Sequence, residues 1–340
     1  MPRITSISGR SLANTATKRS IVYYPFTGLN VSGLATATQL GGGTRIQNVS
    51  TWGFNNGNVT LIATGLPYHS YGNSLAVNTA TAQNFNLSWT YRGGSNIEGS
   101  ATETVGGETG GGIIGIWLNG VSMFNPSAQT TGPSGPNLLA PTWEYNAASS
   151  AGKNLGYTFG EDLAGGHAST PNIYHYHDGT FLNAWLTGTG HSSGAWGITG
   201  LAETSVIKYL SSGLTHADGH SKILGISADG YPVYGPYGYV VATNNTSGIK
   251  RMGSGYTLNS AASREGTTAS NTTLYPLGVF IEDYSFTASG DLDQHNGRYC
   301  VTPDYPNGTY AYFITLNSLL EPVYPYIIGN TYYGTPANLA

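Results

Sequence analysis

Apolar and polar side chains alternate with a period of two along most of this chain. Three segments show the pattern well and are rich in β-branched and aromatic residues: 58–64, 85–91 and 113–118. Successive side chains of a β-strand point to opposite faces, so this alternation indicates strands that are buried on one side. The helical period of 3.6 residues is rare, and 201–210 is the best candidate for a helix. The pattern predicts a mainly β fold with few short helices.

Turn dipeptides separate the predicted strands. Asn119-Gly120 closes the apolar segment 113–118, and Asp229-Gly230 follows another predicted strand, 220–227. Asn-Gly and Asp-Gly are the pairs that two-residue hairpin turns prefer, because both turn residues need a positive φ. We therefore expect a Gly/Asn-turned β-sandwich or a barrel-like domain.

The N-terminal residues differ from the rest in composition. Residues 1–44 hold four basic residues, no Asp or Glu, and one apolar patch at 21–26. Because this patch is too small to form a core, we expect 1–44 to be an arm that pairs with the main domain or with a neighbouring subunit. The main domain is expected at 45–335 and a short C-terminal tail at 336–340.

The chain is poor in charge. Charged residues make up 9% of it, the net charge is −4, and it contains 49 Gly and 25 Tyr. About 25% is usual for charged residues in a soluble domain. Such a chain has no basic field to hold nucleic acid or an anionic membrane, so we expect neither as a partner. No apolar run approaches the length of a membrane span, and no secretory signal peptide is visible.

Several kinds of catalytic site find no support in the sequence. A lone cysteine, Cys300, excludes an intramolecular disulfide framework. There is no G-x-S-x-G nucleophile elbow, and the glycine-rich stretch 106–112 lacks the lysine of a phosphate loop. The acids at 282–283, Asp291 and Asp293 are close in sequence. Such acids are more often turn residues or cation ligands than a glycosidase pair.

The stretch Tyr174-His175-Tyr176-His177 carries the most distinctive chemistry. On a strand, His175 and His177 share one face, about 7 Å apart, and the two tyrosines share the other. Two imidazoles so placed can reach one metal ion or one polar ligand. The alternative is a half-buried strand whose hydrogen-bonded histidines separate packed tyrosines. The tetrapeptide by itself leaves both interpretations open.

The wider sequence resembles the YHYH domain family. Six further segments carry the resemblance in order, and they extend it over about residues 45–335. They are Leu118-Asn119-Gly120-Val121, Trp143 to Ala147, Gly165-Gly166-His167, His220 to Pro236, Asn296-Gly297-Arg298 with Thr302 to Tyr310, and Tyr324 to Gly329.

The resemblance implies a domain that occurs in secreted and environmental bacterial proteins and in marine viruses, and that is suspected of metal binding. Many members have a cysteine before the Gly-Gly-His segment and another before the Asn-Gly pair. This chain has Glu-Asp-Leu-Ala at 161–164 and His295 at the corresponding places. Loss of the disulfide that the resemblance implies agrees with maturation in a reducing cytoplasm.

Five of the eight histidines fall on or beside the family segments. They are His69, His167, His175, His177 and His220. Imidazole is the commonest ligand of Zn and Cu in proteins, so we expect these residues to form a site for one of the two metals. Asp229 is expected to be an oxygen ligand or the acceptor that orients an imidazole. His191 and His216 lie outside the segments and are expected to be ordinary loop residues.

The low charge, the Gly, Asn, Ser and Thr content, the N-terminal arm and the lack of a visible export signal predict a structural protein of a phage virion. It would be a tail, fibre or capsid-decoration subunit, assembled in the host cytoplasm with copies of itself and with other virion proteins. Two alternatives from other classes stay open. One is a metal-dependent enzyme or copper-handling protein, and the other is a carbohydrate-binding module that stacks exposed Tyr and Trp on surface glycans.

Overall fold

In the computed structural model of this chain, the described residues are 29–30, 37–38, 44–45, 50–55, 58–66, 85–90, 112–128, 143–154, 161, 165–169, 173–180, 214–264, 269–337 and 339. The expected helix at 201–210 lies outside them, and so do His69 and His191. What the sequence predicts for these residues stays a prediction.

Twenty β-strands form most of the regular structure in the described residues. In chain order they are β1 (Leu29–Asn30), β2 (Ala37–Thr38), β3 (Thr44–Arg45), β4 (Ser50–Asn55), β5 (Asn58–Ala63), β6 (Phe85–Thr90), β7 (Ile113–Trp117), β8 (Ser122–Phe124), β9 (Ser127–Ala128), β10 (Tyr145–Asn146), β11 (Gly166–Ser169), β12 (Ile173–Tyr176), β13 (Ile223–Ser227), β14 (Pro232–Tyr234), β15 (Tyr237–Tyr239), β16 (Ile249–Arg251), β17 (Tyr256–Leu258), β18 (Tyr284–Phe286), β19 (Gly297–Cys300) and β20 (Thr309–Phe313). The helices are α1 (Ser150–Asn154) and two 3-10 turns, Ala261–Arg264 and Ile281–Asp283. None of these helices is long and apolar enough to cross a membrane. The prediction of a mainly β fold is confirmed.

The predicted strands agree closely with the observed ones. β5, β6 and β7 each begin at the expected residue and end one residue earlier. The segment 220–227 is a strand only from Ile223 onward; the residues before it follow a tight turn at 216–219, and Ser221 forms an isolated bridge with Thr215. Alternation of side chains thus located the strands, while the turn shortened one of them.

A four-stranded antiparallel sheet lies before the family segments, in the order β1-β4-β5-β6. β1 belongs to the expected N-terminal arm and pairs with β4 through Leu29 opposite Trp52. Along β5 the side chains alternate between exposed and buried. The buried ones, with Trp89 from β6, join the same apolar core as the larger sheet. Burial of one face agrees with the period-two pattern of these strands.

The larger sheet has eight strands in the order β11-β12-β8-β7-β13-β14-β20-β19. The pairs β12–β8 and β14–β20 are parallel, and the other neighbours are antiparallel. Aromatic side chains fill its core, among them Trp117, Tyr176, Tyr231 and Tyr312, none of which has measurable exposure. The aromatic content of the chain is therefore largely core.

This sheet repeats one plan in its two halves. The first half is β7, β8, β11 and β12, and the second is β13, β14, β19 and β20. The hairpins β7–β8 and β13–β14 turn at Asn119-Gly120 and Asp229-Gly230, with positive φ angles of 79° and 86° at their glycines. Each pairs in parallel with the inner strand of a second hairpin. β7 and β13 meet antiparallel with Ile116 opposite Ile226, so an approximate twofold axis relates the halves.

Two glycines allow the halves to meet. A Cβ added at Gly115 would lie 2.6 Å from the carbonyl oxygen of Ile226, and one added at Gly225 would lie 2.7 Å from that of Ile116. Both distances are far below van der Waals contact, so only glycine fits at either position. The two close approaches are equivalent under the twofold axis.

Candidate metal centre

The candidate centre lies at one edge of the large sheet, on the hairpin formed by β11 and β12. His167 on β11 is directly opposite His175 on β12. His177 follows the end of β12 and is two residues beyond His175, so both belong to one face of the strand. Tyr174 and Tyr176 point into the apolar core. Strand pairing thus places three imidazoles on one side and the two tyrosines on the other.

The three rings converge through their Nε2 atoms. Nε2 of His177 lies 3.0 Å from Nε2 of His175 and 3.1 Å from Nε2 of His167. All three residues offer a ligand nitrogen within 4.8 Å of the other two. Within the part of the chain that the structure describes, no other group of three or more His, Cys, Asp or Glu residues meets this spacing. We call these three residues the His triad.

Backbone carbonyls fix the tautomers of two triad members. Nδ1 of His175 lies 2.9 Å from the carbonyl oxygen of Ile173, and Nδ1 of His177 lies 2.5 Å from that of Asn125. A carbonyl only accepts, so each Nδ1 must carry the proton. In the neutral ring the other nitrogen, Nε2, then carries a lone pair. His175 and His177 therefore direct lone pairs at each other across 3.0 Å.

The triad is buried, and its surroundings favour neutral imidazole. His167, His175 and His177 are 7%, 1% and 6% exposed. Burial lowers the pKa of His175 well below its ordinary value, and the neighbouring His167 and His177 lower it further. Neutral imidazole is the form that ligates a metal ion. The site at neutral pH thus presents nitrogen lone pairs rather than charged rings.

The end of β8 forms one wall of the centre. The Phe124 ring stacks on His175 with centroids 3.9 Å apart and planes 18° apart, and it meets His177 edge-on at 6.2 Å. The next residue, Asn125, supplies the carbonyl that holds His177. Because β8 pairs in parallel with β12, this contact depends on a long-range register. Both ring planes are therefore set before any ligand arrives.

The donor set fits a transition metal ion. Zinc–imidazole bonds are about 2.0–2.1 Å, which separates the nitrogens of a tetrahedral site by roughly 3.3 Å. The two observed Nε2 separations, 3.0 and 3.1 Å, need to open by only a few tenths of an ångström. Imidazole ligands suit Zn and Cu. Three histidines leave a fourth position, which a fourth protein ligand or a water molecule takes.

A model of one protein family matches the part of the chain that holds the triad. The family model described as YHYH protein matches residues 95–325, which is more than half of the chain and includes the whole triad. This chain belongs to the YHYH protein family. No curated protein and no solved structure matches it. The first YHYH histidine is His175 and the second is His177, so the residues that name the family are two of the three triad members.

Two other predicted ligands, His220 and Asp229, lie in the second half of the eight-stranded sheet and do not join the triad. His220 precedes β13, and Asp229 stands in the β13–β14 turn. The Asp229 carboxylate accepts hydrogen bonds from the Ser227 hydroxyl, from Tyr312 Oη at 2.7 Å and from the Gly334 amide at 2.8 Å. Burial raises the pKa of Asp229, although the hydrogen bonds from these three donors lower it. Asp229 thus orients a tyrosine and the C-terminal segment rather than an imidazole.

Sequence reasoning missed Phe124 and Asn125. Both follow the Leu-Asn-Gly-Val turn of the YHYH segments, but only the parallel pairing of β8 with β12 brings them to the histidines. His216, expected to be an ordinary loop residue, lies in a turn and also donates from Nε2 to Asp304 at 3.0 Å. No sequence signal links residues this far apart.

Proposed function

We propose that this YHYH protein binds one zinc or copper ion through the His triad. The observation that carries the proposal is the pair of opposed lone pairs on His175 and His177. Two acceptors 3.0 Å apart repel each other until a cation lies between them. A proton is the weaker candidate, because burial holds the pKa of His175 well below its ordinary value. A metal ion is therefore the cation that the site suits best.

The number of ligands bears on what the ion does. Among the described residues, no fourth His, Cys, Asp or Glu lies within ligand distance of the triad. Structural zinc sites usually have four protein ligands, whereas catalytic ones keep one position open. This observation favours a second candidate function, a metal-dependent enzyme or copper-handling protein. At an open position, a bound ion supplies Lewis acidity or, with copper, electron transfer.

The biological setting that we propose is a virus particle, in which the YHYH domain is a tail, fibre or capsid-decoration subunit. The support comes from composition: charged residues make up 9% of the chain, and amides and hydroxyls supply its polarity. Assembly with further copies and with other virion proteins belongs to this proposal. In that setting the ion would stabilise the edge hairpin β11–β12 against unfolding outside a cell.

The structure does not favour the third candidate, a carbohydrate-binding module. Such modules stack exposed aromatic rings on sugars. Every Tyr and Trp side chain that the structure describes is buried or half-buried. The described residues therefore offer no exposed Tyr or Trp for stacking on a sugar.

Elemental analysis of the purified full-length chain tests the metal proposal. We expect His175→Ala and His177→Ala each to hold about one zinc or copper ion per chain fewer than the wild type, because each removes one of three ligands. His295→Ala is the matched control, since His295 bonds Thr331 and lies outside the triad. A wild-type chain without stoichiometric metal after loading, or equal metal in all variants, would contradict it. Electron microscopy of particles tests the setting, and a chain that never enters an assembly would refute it.

A further inference from the structure

A second group of ionisable side chains surrounds the hairpin that precedes β13. Thr215 pairs antiparallel with Ser221, and the His216 amide donates to the carbonyl of His220 at 2.7 Å. Gly219 closes the turn with a φ of 91°. Residues directly opposite each other in an antiparallel pair project to the same side, with Cβ atoms about 4.5–5.5 Å apart. His216 and His220 are therefore cross-strand neighbours on one face.

A carboxylate lies beside these histidines. Asp304 Oδ2 accepts from His216 Nε2 at 3.0 Å and from Tyr234 Oη at 3.0 Å. Tyr234 Oη is also 2.9 Å from the Thr302 hydroxyl. The Asp304 side chain is 7% exposed and that of His216 is 20% exposed. A loop residue thus brings a buried negative charge to the histidine pair.

His220 has a buried nitrogen with no partner. Its Nδ1 donates to the carbonyl of its neighbour Ser221 at 2.7 Å, so its Nε2 is a lone pair. Nε2 is inaccessible to solvent and accepts no hydrogen bond from any described residue. The ring is 0% exposed and lies among Tyr234, Tyr239 and Phe313, at centroid distances of 4.9–6.0 Å. A buried unpaired acceptor is costly unless a ligand uses it.

Two carboxylates lie near His220. Asp304 and Asp218 both interact electrostatically with His220, and Asp218 also accepts from the Tyr239 hydroxyl and from the His220 amide. Lys222 faces Asp304, and the Arg298 guanidinium lies over the Phe313 ring. Carboxylates able to bind a cation thus lie beside the unpaired nitrogen.

His220 contacts residues that correspond to those around the His triad. Counting from the two turns and from the two parallel pairings, Tyr234 corresponds to Phe124 and Phe313 corresponds to His177. His220 packs against both Tyr234 and Phe313. The second half of the sheet therefore presents its own imidazole at the place where the first half presents the triad.

We propose that His216, His220 and Asp304 form a second site, which binds a divalent first-row metal ion with two imidazoles and one carboxylate. Two histidines and one carboxylate are a common donor set for zinc and for iron. The three ligand atoms do not meet the 4.8 Å spacing of the triad, so binding includes rotation of the partly exposed His216 ring. Without a metal ion, His216 donates its hydrogen bond to Asp304, and Nε2 of His220 keeps the lone pair that would bind the ion.

Equilibrium dialysis of the full chain against zinc, followed by elemental analysis, tests this site separately from the triad. A triad-free variant, His167→Ala with His177→Ala, is expected to keep about one zinc ion per chain, whereas the wild type holds about two. Adding His220→Phe, which retains a ring in the aromatic surroundings, or Asp304→Asn is expected to remove that remaining ion. Asp291→Asn is the matched control, because Asp291 pairs with Lys250 elsewhere.

Three outcomes would overturn the second site. They are a triad-free chain that binds no zinc, a triad-free chain that keeps its ion after both added substitutions, and an equal loss of zinc in Asp291→Asn. If the triad-free variant does not fold, the same subtraction is made in the wild-type background. There, His220→Phe is expected to lower zinc from about two ions to about one, and unchanged zinc would refute the site.

Discussion

The two halves of the large sheet share a backbone plan and differ in the chemistry that they present. Opposite each other on the first edge hairpin are His167 and His175, whereas the second has Arg298 opposite Ala311. Two residues further along the same face, the first half has His177 and the second has Phe313. The candidate metal centre is thus a property of three side chains on a repeated frame, and the frame alone does not create it.

The second half uses the equivalent positions for packing. The Arg298 guanidinium lies 5.5 Å over the Phe313 ring, and its Nη2 donates to the carbonyl of Tyr239 at 2.7 Å. Phe313 in turn stacks on Tyr234 at 5.7 Å. An arginine and an aromatic ring therefore hold together a place where the first half has three imidazoles. Two histidines of the second half, His216 and His220, lie instead on the hairpin before β13.

Acid sensitivity should be the largest effect, and both halves should contribute to it. Burial lowers the pKa of His220 from 6.5 to about 4, and that of His175 falls well below 6.5. Above pH 6.5 neither the folded nor the unfolded state protonates these rings. As pH falls from about 6.5 to about 4, the unfolded chain binds protons that the folded chain does not, so stability is lost. At about 1.4 kcal/mol per pH unit, His220 alone accounts for roughly 3 kcal/mol.

Urea unfolding of chelator-treated protein between about pH 7.5 and pH 4.5 measures this loss. His175→Ala and His220→Phe should each flatten the pH dependence, one for each half. Equal stability of the wild type at both pH values would contradict the buried neutral histidines.

The frame itself can be tested at the two central glycines. Gly115→Ala and Gly225→Ala both place a Cβ against a carbonyl of the facing strand, so each should cost roughly 3 kcal/mol of unfolding free energy. Gly112→Ala is the control, because nothing lies within 4 Å of a Cβ added there. If one of the two central substitutions were neutral, the halves would not share the close approach that the twofold axis requires.

Removal of the metal should show how much the triad of the first half contributes to stability. An ion present at a hundred times its Kd stabilises the folded state by about 2.7 kcal/mol, so a chelator should lower the melting temperature of the wild type. The His175→Ala chain lacks a triad ligand and should show a smaller chelator effect, limited to the second site. A chelator effect of the same size in both proteins would show that the triad is not the stabilising site.

The smallest effect should come from the hydroxyl that distinguishes Tyr234 from its counterpart Phe124. Tyr234→Phe removes the hydrogen bonds to Asp304 and Thr302, and we expect a loss of about 1–2 kcal/mol in thermal or urea unfolding. Tyr299→Phe is a milder control, since its hydroxyl has only a 3.4 Å contact to the carbonyl of Asn307. A loss no larger than that of the control would mean that this bond network contributes little to the second half.

The sequence predicts local features well, because strand alternation and turn chemistry act over a few residues. It places His175 and His177 on one face, marks the turns at 119–120 and 229–230, and finds the larger strands. Strand alternation and turn chemistry alone do not say which half of the sheet His220 joins, because the halves are defined by parallel pairings between distant strands.

One sequence signal could have revealed the division into halves. The segment Ile114-Gly115-Ile116 before Asn119-Gly120 matches Leu224-Gly225-Ile226 before Asp229-Gly230 at the same spacing. Such an internal repeat predicts duplicated structural units. It would have separated His220 and Asp229 from the triad, since they belong to the second copy of the repeated segment or precede it.

X-ray absorption spectroscopy of the metal-loaded chain tests the central claim most directly. For an ion held by the His triad, we expect about three imidazole nitrogens at about 2.0–2.1 Å. In the triad-free variant that shell should disappear or change to a mixed nitrogen and oxygen set. A wild-type spectrum with only oxygen ligands, or one that the triad substitutions leave unchanged, would contradict the assignment of the metal centre to His167, His175 and His177.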